Sequence, residues 1–302
     1  MNNEYYTGLN NHGNTCFFNS ALQSLMRCSV FINFISELDI DHEYINIFKE
    51  IINEYKKNSG KSISPIKLVK YYEKLNTNYS LGKQDDADEV ITYLIGEIDD
   101  VIKKYIKEGK LENCVIKGDI TMDKMMDYLF GVIIVTITKC LKCKNQTTYN
   151  VKEFKLSVAL KDSDNLEEIL DNYSQIENLN GDNQFYCNTC KKNVDAIKCD
   201  KILKTPKYLH IQLKRFENNG RRFSKINKNI KININQNICD NEYKLRGCVH
   251  HMGTYHGGHY IYNYNKNKNN NFNNWLCLND GSISFTDITN TINDGYIYLY
   301  VK

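Results

Sequence analysis

Two pairs of cysteines, 44 positions apart (143 to 187), restrict the possible folds of this sequence more than any other feature. Each pair has the spacing Cys-x-x-Cys: Cys140 with Cys143, and Cys187 with Cys190. Such a pair presents two thiolates from one tight turn, and two pairs complete the tetrahedral Cys₄ set of structural zinc. The gap exceeds that of a compact finger, so we expect the two turns to lie on neighbouring β-ribbons of an extended module. The sequence predicts one structural zinc ion per chain, with redox cysteines or a degenerate site as the alternative.

The composition is that of a globular protein in a reducing compartment. Of 302 residues, 41% are hydrophobic, and 39 basic against 36 acidic residues give a formal charge of +3. This balance does not favour nucleic acid or an anionic membrane as the main partner. Eleven cysteines, an odd number, fit metal and thiol chemistry better than a disulfide framework. Without a signal-like start or an apolar run of roughly 18 residues, we expect an intracellular protein, cytoplasmic or nuclear, with no membrane partner.

The stretch Gly8–Leu25 changes character at Cys16. Glycines and asparagines precede this cysteine, and apolar residues spaced by three and four follow it, which predicts a loop that enters a buried helix. Cys16 would then lie at the helix N-terminus, where free N–H groups and the helix dipole stabilise a thiolate. A lone cysteine beside an apolar helix is more often a core residue. The interpretation as a nucleophile therefore depends on residues farther along the chain.

Hydrophobic periodicity predicts a helical first third and a β-rich remainder. Helical spacing recurs in the segments 30–38, 44–55, 66–75 and 90–102. Ser64 is the expected N-cap of the third of these helices, with Pro65 at its first position. The period changes to two at Val132–Ile137, and short β-type runs follow from 206 onward, including Ile230–Ile234. The predicted class is α+β.

Acidic residues open the helix that contains 90–102. Asp85, Asp86 and Asp88 lie where a helix begins, and carboxylates there complement the helix dipole. A second interpretation is that exposed carboxylates in this turn contact a basic partner. The residues alone leave both open.

His259 and Asn279 supply what a cysteine nucleophile requires. The nucleophile needs an imidazole that accepts its proton, and the imidazole needs a hydrogen-bond acceptor that holds its tautomer. His259 follows two glycines at the start of an apolar and aromatic strand, and Asn279 ends another strand just before Asp280. With Cys16, these residues predict a cysteine hydrolase.

Taken together, these segments resemble the ubiquitin-specific proteases, a papain-like class of deubiquitinases. Residues 8–25 resemble the Cys box of that family, 251–260 its His box, and Trp275–Asp280 its third catalytic segment. Further blocks resemble the family in the expected order, namely 84–89, 130–131, both cysteine pairs and 213–216. The resemblance extends from Tyr6 to Val301.

The resemblance implies a thumb, palm and fingers architecture with a zinc-ribbon-like fingers insertion. One catalytic domain would span 5–302, with a thumb at about 5–110, fingers at about 112–206 and a palm at about 207–302. The implied activity is thiol-dependent hydrolysis of the isopeptide or peptide bond after the C-terminal glycine of ubiquitin. We expect ubiquitin and ubiquitinated proteins as partners, no nucleic acid, and a monomer.

Matched position by position, the resemblance implies roles for individual residues. Cys16 would be the nucleophile, His259 the general base and acid, Asn279 the orienting residue, and Asn11 the donor to the oxyanion. Two departures are Phe17, where the family usually has tyrosine, and Asn279 in place of the commoner aspartate, so Asp280 could share the orienting role. The implied substrate contacts are Gln84, Asp86, Glu89, His251, His256 and Gly258.

Three other functions remain open at this point. The chain could be a ubiquitin-binding scaffold without turnover, although Cys16, His259 and Asn279 are all present. It could act on another ubiquitin-like modifier. Zinc-dependent binding of nucleic acid is a third alternative, which the nearly neutral charge disfavours.

Overall fold

The helices occupy mainly the first 130 residues. The computed structural model describes residues 5–160, 163–218, 223–255, 257–266 and 271–302. Its α-helices are α1 (Cys16–Met26), α2 (Ser29–Glu37), α3 (Glu43–Lys57), α4 (Ile66–Leu75), α5 (Ala87–Lys107), α6 (Met125–Phe130) and α7 (Leu166–Asp171). The predicted helices are confirmed as α1 to α5, whereas α6 and α7 were not predicted. None of the described helices has both the length and the apolar character that crossing a bilayer requires.

The strands occupy mainly the second half of the chain. They are β1 (Gly8–Leu9), β2 (Ser62–Ile63), β3 (Val115–Lys117), β4 (Ile120–Thr121), β5 (Val132–Cys140), β6 (Gln146–Glu153), β7 (Leu156–Ala159), β8 (Glu177–Leu179), β9 (Phe185–Cys187), β10 (Lys192–Val194), β11 (Ala196–Lys204), β12 (Tyr208–Lys214), β13 (Phe216–Asn218), β14 (Phe223–Lys225), β15 (Asn235–Ile238), β16 (Asn241–Thr254), β17 (Gly257–Tyr264), β18 (Trp275–Asn279), β19 (Ser282–Thr286) and β20 (Ile297–Val301). The predicted strand Ile230–Ile234 is wrong, since the regular strand begins at Asn235.

An eight-stranded sheet forms the centre of the molecule. Its strands follow the order β19-β18-β17-β16-β20-β12-β7, with β15 paired to β16, and only the pair β12–β7 is parallel. Alternate residues of β20 face two different cores: Ile297 and Leu299 pack with the helices α1 to α6, and Tyr298 and Tyr300 pack on the opposite side with α7. Both faces of the central strands are therefore buried.

Strand β12 shows the consequence of this two-sided burial. The sequence predicted a half-buried strand with His210 on its polar side, but His210 is only 1% exposed. Its Nε2 lies 3.0 Å from the hydroxyl of Ser24 on α1. The prediction of a half-buried strand was wrong because the helices cover the face that the polar residues occupy.

A second sheet carries the cysteine pairs. Strands β6-β5-β11-β8 form an antiparallel sheet, and the hairpin β9–β10 lies beside its end. Ion pairs attach this part to α5 and α6. The ammonium of Lys152 lies 2.9 Å from Asp99 of α5 and 2.7 Å from Asp127 of α6, and Lys155, just after β6, pairs with Asp88 of α5. These contacts fix the ribbon relative to the helices.

Candidate active site and metal centre

Cys16 is the first residue of α1, and it is 3% exposed. The apolar residues Phe17 and Phe18 that follow it are fully buried and pack against Tyr72 of α4. The backbone N–H of Tyr260 on β17 lies close enough to the thiol to lower its pKa. Because Tyr260 follows His259 directly, the fold brings Cys16 next to the strand residue predicted to be its base.

The electrostatic state of Cys16 differs from the expectation. Burial raises the pKa of the Cys16 thiol above its ordinary value, and the carboxylate of Asp280 acts in the same direction. The backbone N–H groups of Tyr260, Phe17 and Cys16 lower the pKa but do not offset the desolvation. The isolated chain therefore holds a neutral thiol, and its proton must be removed before it can attack.

His259 and Asn279 form a hydrogen-bonded pair. The Nε2 of His259 on β17 lies 2.7 Å from the Oδ1 of Asn279, the last residue of β18. Since the amide oxygen is an acceptor, Nε2 carries the hydrogen and the lone pair of Nδ1 is left to accept a proton. Strands β17 and β18 are antiparallel neighbours, which is why residues 20 positions apart meet here.

Asp280 faces away from this pair toward the loop before Cys16. Its Oδ2 accepts a hydrogen bond of 2.9 Å from Nδ2 of Asn11, and its Oδ1 accepts one of 2.7 Å from Nδ2 of Asn19. Its backbone oxygen also accepts from the N–H of Leu9 at 2.8 Å. The adjacent residues Asn279 and Asp280 thus contact different parts of the site.

The loop and the turn approach each other closely at two glycines. A Cβ on Gly8 would lie 2.4 Å from the backbone oxygen of Gly281, so only glycine fits there. Asp280 itself has a φ of +48° in the two-residue turn between β18 and β19. This close approach lets the carboxylate of Asp280 reach Asn11.

The amide of Asn11 is held at both of its polar atoms. Its Oδ1 accepts from the N–H of Thr15 at 3.1 Å, while its Nδ2 donates to Asp280. An amide nitrogen has two hydrogens, so one remains for another acceptor. Asn11 is exposed and lies in the loop, five residues before Cys16.

Gln84 bridges the helical part and the His259 strand. Its Nε2 donates to the oxygen of Gly258 at 3.0 Å, and its Oε1 accepts from the Gly258 N–H at 3.1 Å. A Cβ on Gly258 would lie 2.3 Å from Nε2 of His251, whose ring is 7% exposed. Burial lowers the pKa of His251 to about 4. His251 is therefore a neutral packing group beneath this bridge.

The acidic residues of the α5 turn have different environments. Asp86 caps the helix by accepting from the N–H of Asp88 at 2.9 Å, and it also accepts from the hydroxyl of Tyr296 at 2.6 Å. Glu89 is exposed and accepts from Asn76 at 3.3 Å. His256, the remaining predicted substrate contact, lies outside the described residues.

Asn19 is a site residue that the sequence reasoning missed. It is 2% exposed and donates to Asp280 and to the backbone oxygen of Leu9. The available signal was an amide side chain three residues after Cys16 on a helix predicted to be buried, because a buried amide needs partners. Asn19 fixes the carboxylate that in turn fixes Asn11.

The four predicted cysteine ligands meet at one point. The sulfur atoms of Cys140, Cys143, Cys187 and Cys190 all lie within 4.8 Å of one another. Cys140 ends β5 and Cys187 ends β9, so the two pairs do lie on neighbouring β-ribbons. The cluster can hold a metal ion.

The backbone around the cluster fits thiolate ligands. The N–H of Cys143 points to the sulfur of Cys140 at 3.4 Å, and the N–H of Cys190 points to that of Cys187 at 3.5 Å. This donation lowers the pKa of Cys140 to about 6 and also lowers the pKa of Cys187. A deprotonated sulfur is the form that binds metal.

Comparisons with known proteins agree with this arrangement. A family model described as ubiquitin carboxyl-terminal hydrolase matches residues 7–300. Ubiquitin carboxyl-terminal hydrolase 4 of Arabidopsis thaliana is 26% identical over 347 residues, covering 98% of this chain and 93% of that protein. Ubiquitin carboxyl-terminal hydrolase 25 of the same plant is 27% identical, and the match covers 98% of this chain but only 47% of that protein.

A solved structure has the same fold. In the SAGA DUB module of Ubp8, Sgf11, Sus1 and Sgf73 bound to monoubiquitin, one chain matches with a TM-score of 0.76 and 26% identity, over 99% of this chain and 69% of that one. This likeness confirms the predicted α+β, papain-like fold, and the four-cysteine cluster fits a zinc-ribbon fingers insertion. The chain belongs to the ubiquitin carboxyl-terminal hydrolase family.

Proposed function

We propose that this chain hydrolyses the isopeptide or peptide bond after the C-terminal glycine of ubiquitin through an acyl-enzyme on Cys16. As a member of its family it is a cysteine-type deubiquitinating peptidase. The observation that carries the proposal is the hydrogen bond of 2.7 Å between His259 and Asn279. His259 lies on β17 directly before Tyr260, whose backbone N–H lowers the pKa of the Cys16 thiol. A nucleophile, a base and an orienting group then form one unit.

The first half of the reaction forms the acyl-enzyme. His259 Nδ1 accepts the thiol proton of Cys16 while the sulfur attacks the glycine carbonyl carbon, which gives a tetrahedral oxyanion and an imidazolium. The imidazolium then donates that proton to the departing amine as the carbon–nitrogen bond breaks. Asn279 Oδ1 accepts from Nε2 throughout, and so it keeps the ring in the required orientation and tautomer.

The second half releases ubiquitin. His259, neutral again, accepts a proton from water, and the resulting hydroxide attacks the thioester carbonyl. The carbon–sulfur bond breaks, and the proton on His259 returns to the sulfur of Cys16. The raised pKa of Cys16 makes His259 necessary in the first step, because burial prevents the thiolate from forming in advance.

Asn11 is the proposed donor to the oxyanion. Asp280 and Thr15 fix its amide, and one hydrogen of Nδ2 remains to be donated. A donor that is already oriented costs no reorganisation when the charge develops. In this proposal Asp280 orients Asn11, and Asn279 alone orients His259.

The bridge between Gln84 and Gly258 marks the proposed path of the ubiquitin tail. An extended peptide offers the same N–H and C=O groups with which the Gln84 amide pairs in the isolated chain. The tail would replace Gly258 as the hydrogen-bond partner of the Gln84 amide. Glu89, which is exposed nearby on α5, would contact basic residues of ubiquitin. Asp86, bonded to Tyr296, holds the turn in place. We propose His256 as a further contact of the tail.

Zinc is the proposed metal of the four-cysteine cluster. Four thiolates that can surround one ion tetrahedrally are a typical ligand set for zinc. The zinc ion would stabilise the ribbon and take no part in bond breaking. The proposed domain spans 5–302, with the helices as thumb (about 5–110), the ribbon as fingers (about 112–206) and the large sheet as palm (about 207–302).

A fluorogenic assay tests the proposed activity. The folded protein should release the fluorophore from ubiquitin that carries a C-terminal fluorogenic amide, and Cys16→Ala should abolish release. Cys114→Ala, which removes a half-buried thiol outside the site, is the matched control and should keep the wild-type rate. No release by the folded wild-type protein, or release by Cys16→Ala, would refute the proposal.

A further inference from the structure

Helix α1 is joined to the N-terminal segment 5–11 by a regular series of hydrogen bonds. Side chains spaced four residues apart along the helix and its C-cap donate to backbone oxygens spaced two residues apart on the segment, which runs in the opposite direction. The pairs are Arg27 with Tyr5 at 2.9 Å, Gln23 with Thr7 at 2.8 Å, and Asn19 with Leu9 at 3.1 Å. We call this series the α1 ladder.

The α1 ladder continues to Asn11. Four residues before Asn19 is Thr15, and two residues after Leu9 is Asn11. Here the acceptor is the side-chain Oδ1 of Asn11, which accepts from the backbone N–H of Thr15 at 3.1 Å and from its hydroxyl at 3.3 Å. The series that holds the segment therefore ends at the amide that we propose as the donor to the oxyanion.

The repeat distances of helix and segment explain why the series is regular. Four residues of a helix advance by about 6.0 Å and two residues of an extended chain by about 6.6 Å, so the two steps nearly match. The opposite side of the segment pairs with β2 and the residue before it. The N–H of Gly8 donates to the oxygen of Lys61 at 2.7 Å, and that of Asn10 donates to Ile63 at 2.8 Å. A shift by one residue would break both sets of bonds, so the register along α1 is fixed.

Gln23 forms the central pair of the α1 ladder, and its amide is fixed at both ends. The side chain is 1% exposed. Its Oε1 accepts from the hydroxyl of Tyr55 at 2.7 Å, which leaves Nε2 to donate to Thr7. Thr7 in turn donates its own hydroxyl to the backbone oxygen of Tyr55 at 2.7 Å. The direction in which Gln23 donates is therefore determined by its neighbours.

We propose that Gln23 is a positioning residue for the oxyanion donor Asn11 and acts through the α1 ladder. This inference rests on the proposed function, because it concerns the same oxyanion site. Gln23 lies seven residues after Cys16, about 10 Å along the helix at about 1.5 Å per residue, so its side chain is too far away to contact the reacting groups. Loss of the central pair would loosen the segment and displace the Asn11 amide.

A displaced oxyanion donor should affect kcat and not KM. The donor acts when the negative charge develops, so its position matters in the transition state and not in the bound ground state. Complete removal of such a donor lowers kcat by about 10²–10³-fold in comparable sites. Displacement should cost a part of this factor.

Steady-state hydrolysis of the ubiquitin fluorogenic amide tests the proposal, with kcat expressed per folded molecule. Gln23→Met keeps the size of the side chain and removes both hydrogen bonds. We expect it to lower kcat at least tenfold and to leave KM within twofold of wild type. The matched control is Ser24→Ala, which removes the next polar side chain of α1 and its contact of 3.0 Å with His210. It should keep kcat within twofold, even where it lowers stability as much as Gln23→Met does.

The same substitution in an Asn11→Ala background separates positioning from a purely structural role. With Asn11 absent no donor remains to be displaced, so Gln23→Met should then change kcat by less than twofold. A purely structural role would give the same loss with and without Asn11.

The outcomes distinguish failure of this inference from failure of the proposed function. With an active wild type, the inference is overturned by an unchanged kcat in Gln23→Met, by the same loss in the Asn11→Ala background, or by wild-type kcat in Asn11→Ala alone. No turnover by the folded wild type would overturn both. Should Gln23→Met fail to fold, Tyr55→Phe, which removes the hydroxyl that orients the Gln23 amide, must lower kcat at least threefold, and only when Asn11 is present; an unchanged kcat would overturn the inference.

Discussion

The side-chain amide of Gln84 pairs with both backbone polar groups of Gly258, at 3.0 and 3.1 Å, although 174 positions separate the two residues. The bridge connects the loop before α5 with the start of β17, one residue before His259. Its geometry is that of one strand pairing with another. The proposed ubiquitin tail would use the same amide.

Gln84→Ala tests whether this amide binds substrate. The variant removes two hydrogen bonds, each worth about 0.5–1.5 kcal/mol, so we expect kcat/KM for ubiquitin fluorogenic amide to fall by roughly 10-fold or more. The loss should lie mainly in KM, because Gln84 does not touch the reacting groups. Gln175→Ala, another glutamine in a loop, should have no effect. An unchanged or higher kcat/KM in Gln84→Ala would show that the bridge only closes the cleft.

Asn279 and Asp280 should differ in what their removal costs. Asn279 is exposed and bonds His259, so Asn279→Ala should lower kcat roughly 10²- to 10⁴-fold with little change in stability. Asp280 bonds the buried Asn19, so Asp280→Ala should also lower the free energy of unfolding by about 1–3 kcal/mol. Steady-state kinetics and urea unfolding measure both. If Asp280→Ala reduced kcat without changing stability while Asn279→Ala left kcat intact, the two roles would be exchanged.

Buried histidines should make stability depend on pH. Burial lowers the pKa of His210 to about 3 and that of His251 to about 4, whereas an unfolded histidine has a pKa of about 6.5. The unfolded state therefore binds more protons between these values, and stability is lost as pH falls from about 6.5 toward 3. Each group contributes a slope of up to about 1.4 kcal/mol per pH unit. His210→Gln should reduce the slope of the unfolding free energy over this range, and an identical slope would contradict the assignment.

The metal should matter for the ribbon more than for the chemistry. We expect elemental analysis to find about one zinc per chain, and Cys143→Ser/Cys190→Ser to lose it. Hydrogen exchange should then accelerate in residues 132–204, while Cys16 keeps its reactivity toward a small alkylating reagent. Cys199→Ser/Cys239→Ser is the matched control, because it removes two thiols outside the cluster and should retain the metal. A folded, active preparation of the wild-type protein that contains no zinc would refute the proposal.

Local patterns predicted much of this molecule. The start of α1 at Cys16 and the meeting of the two cysteine pairs follow from residue spacing, because helix periodicity and ligand geometry are local rules. Strand pairing was harder to predict. Ile230, Ile232 and Ile234 alternate like a strand and are buried, but the N–H of Ile230 bonds to the backbone oxygen of Asn293 in a short 3₁₀ helix and not to a neighbouring strand. Alternation of apolar residues indicates which side of a segment is buried. It does not show whether a partner strand is present to form the ladder of hydrogen bonds.

Other features depend on tertiary contacts that one sequence does not reveal. Ser64 was the expected cap of α4, but Pro65 occupies that position and the hydroxyl of Ser64 lies 2.8 Å from Nε2 of His12. The direction of the Cys16 pKa was likewise missed, because desolvation by the packed sheet outweighs the N–H groups of the helix end. Asp280 could be placed near the site, but not directed toward Asn11.

The most direct test of the account is covalent capture. Ubiquitin with a C-terminal propargylamide should form one adduct with the folded protein, and peptide mass spectrometry should locate it on Cys16. Cys16→Ala should form none, and His259→Ala should react more slowly because the thiol then lacks its base. An adduct on any other cysteine, or none with a folded chain, would contradict the claim that Cys16 attacks the C-terminal glycine of ubiquitin.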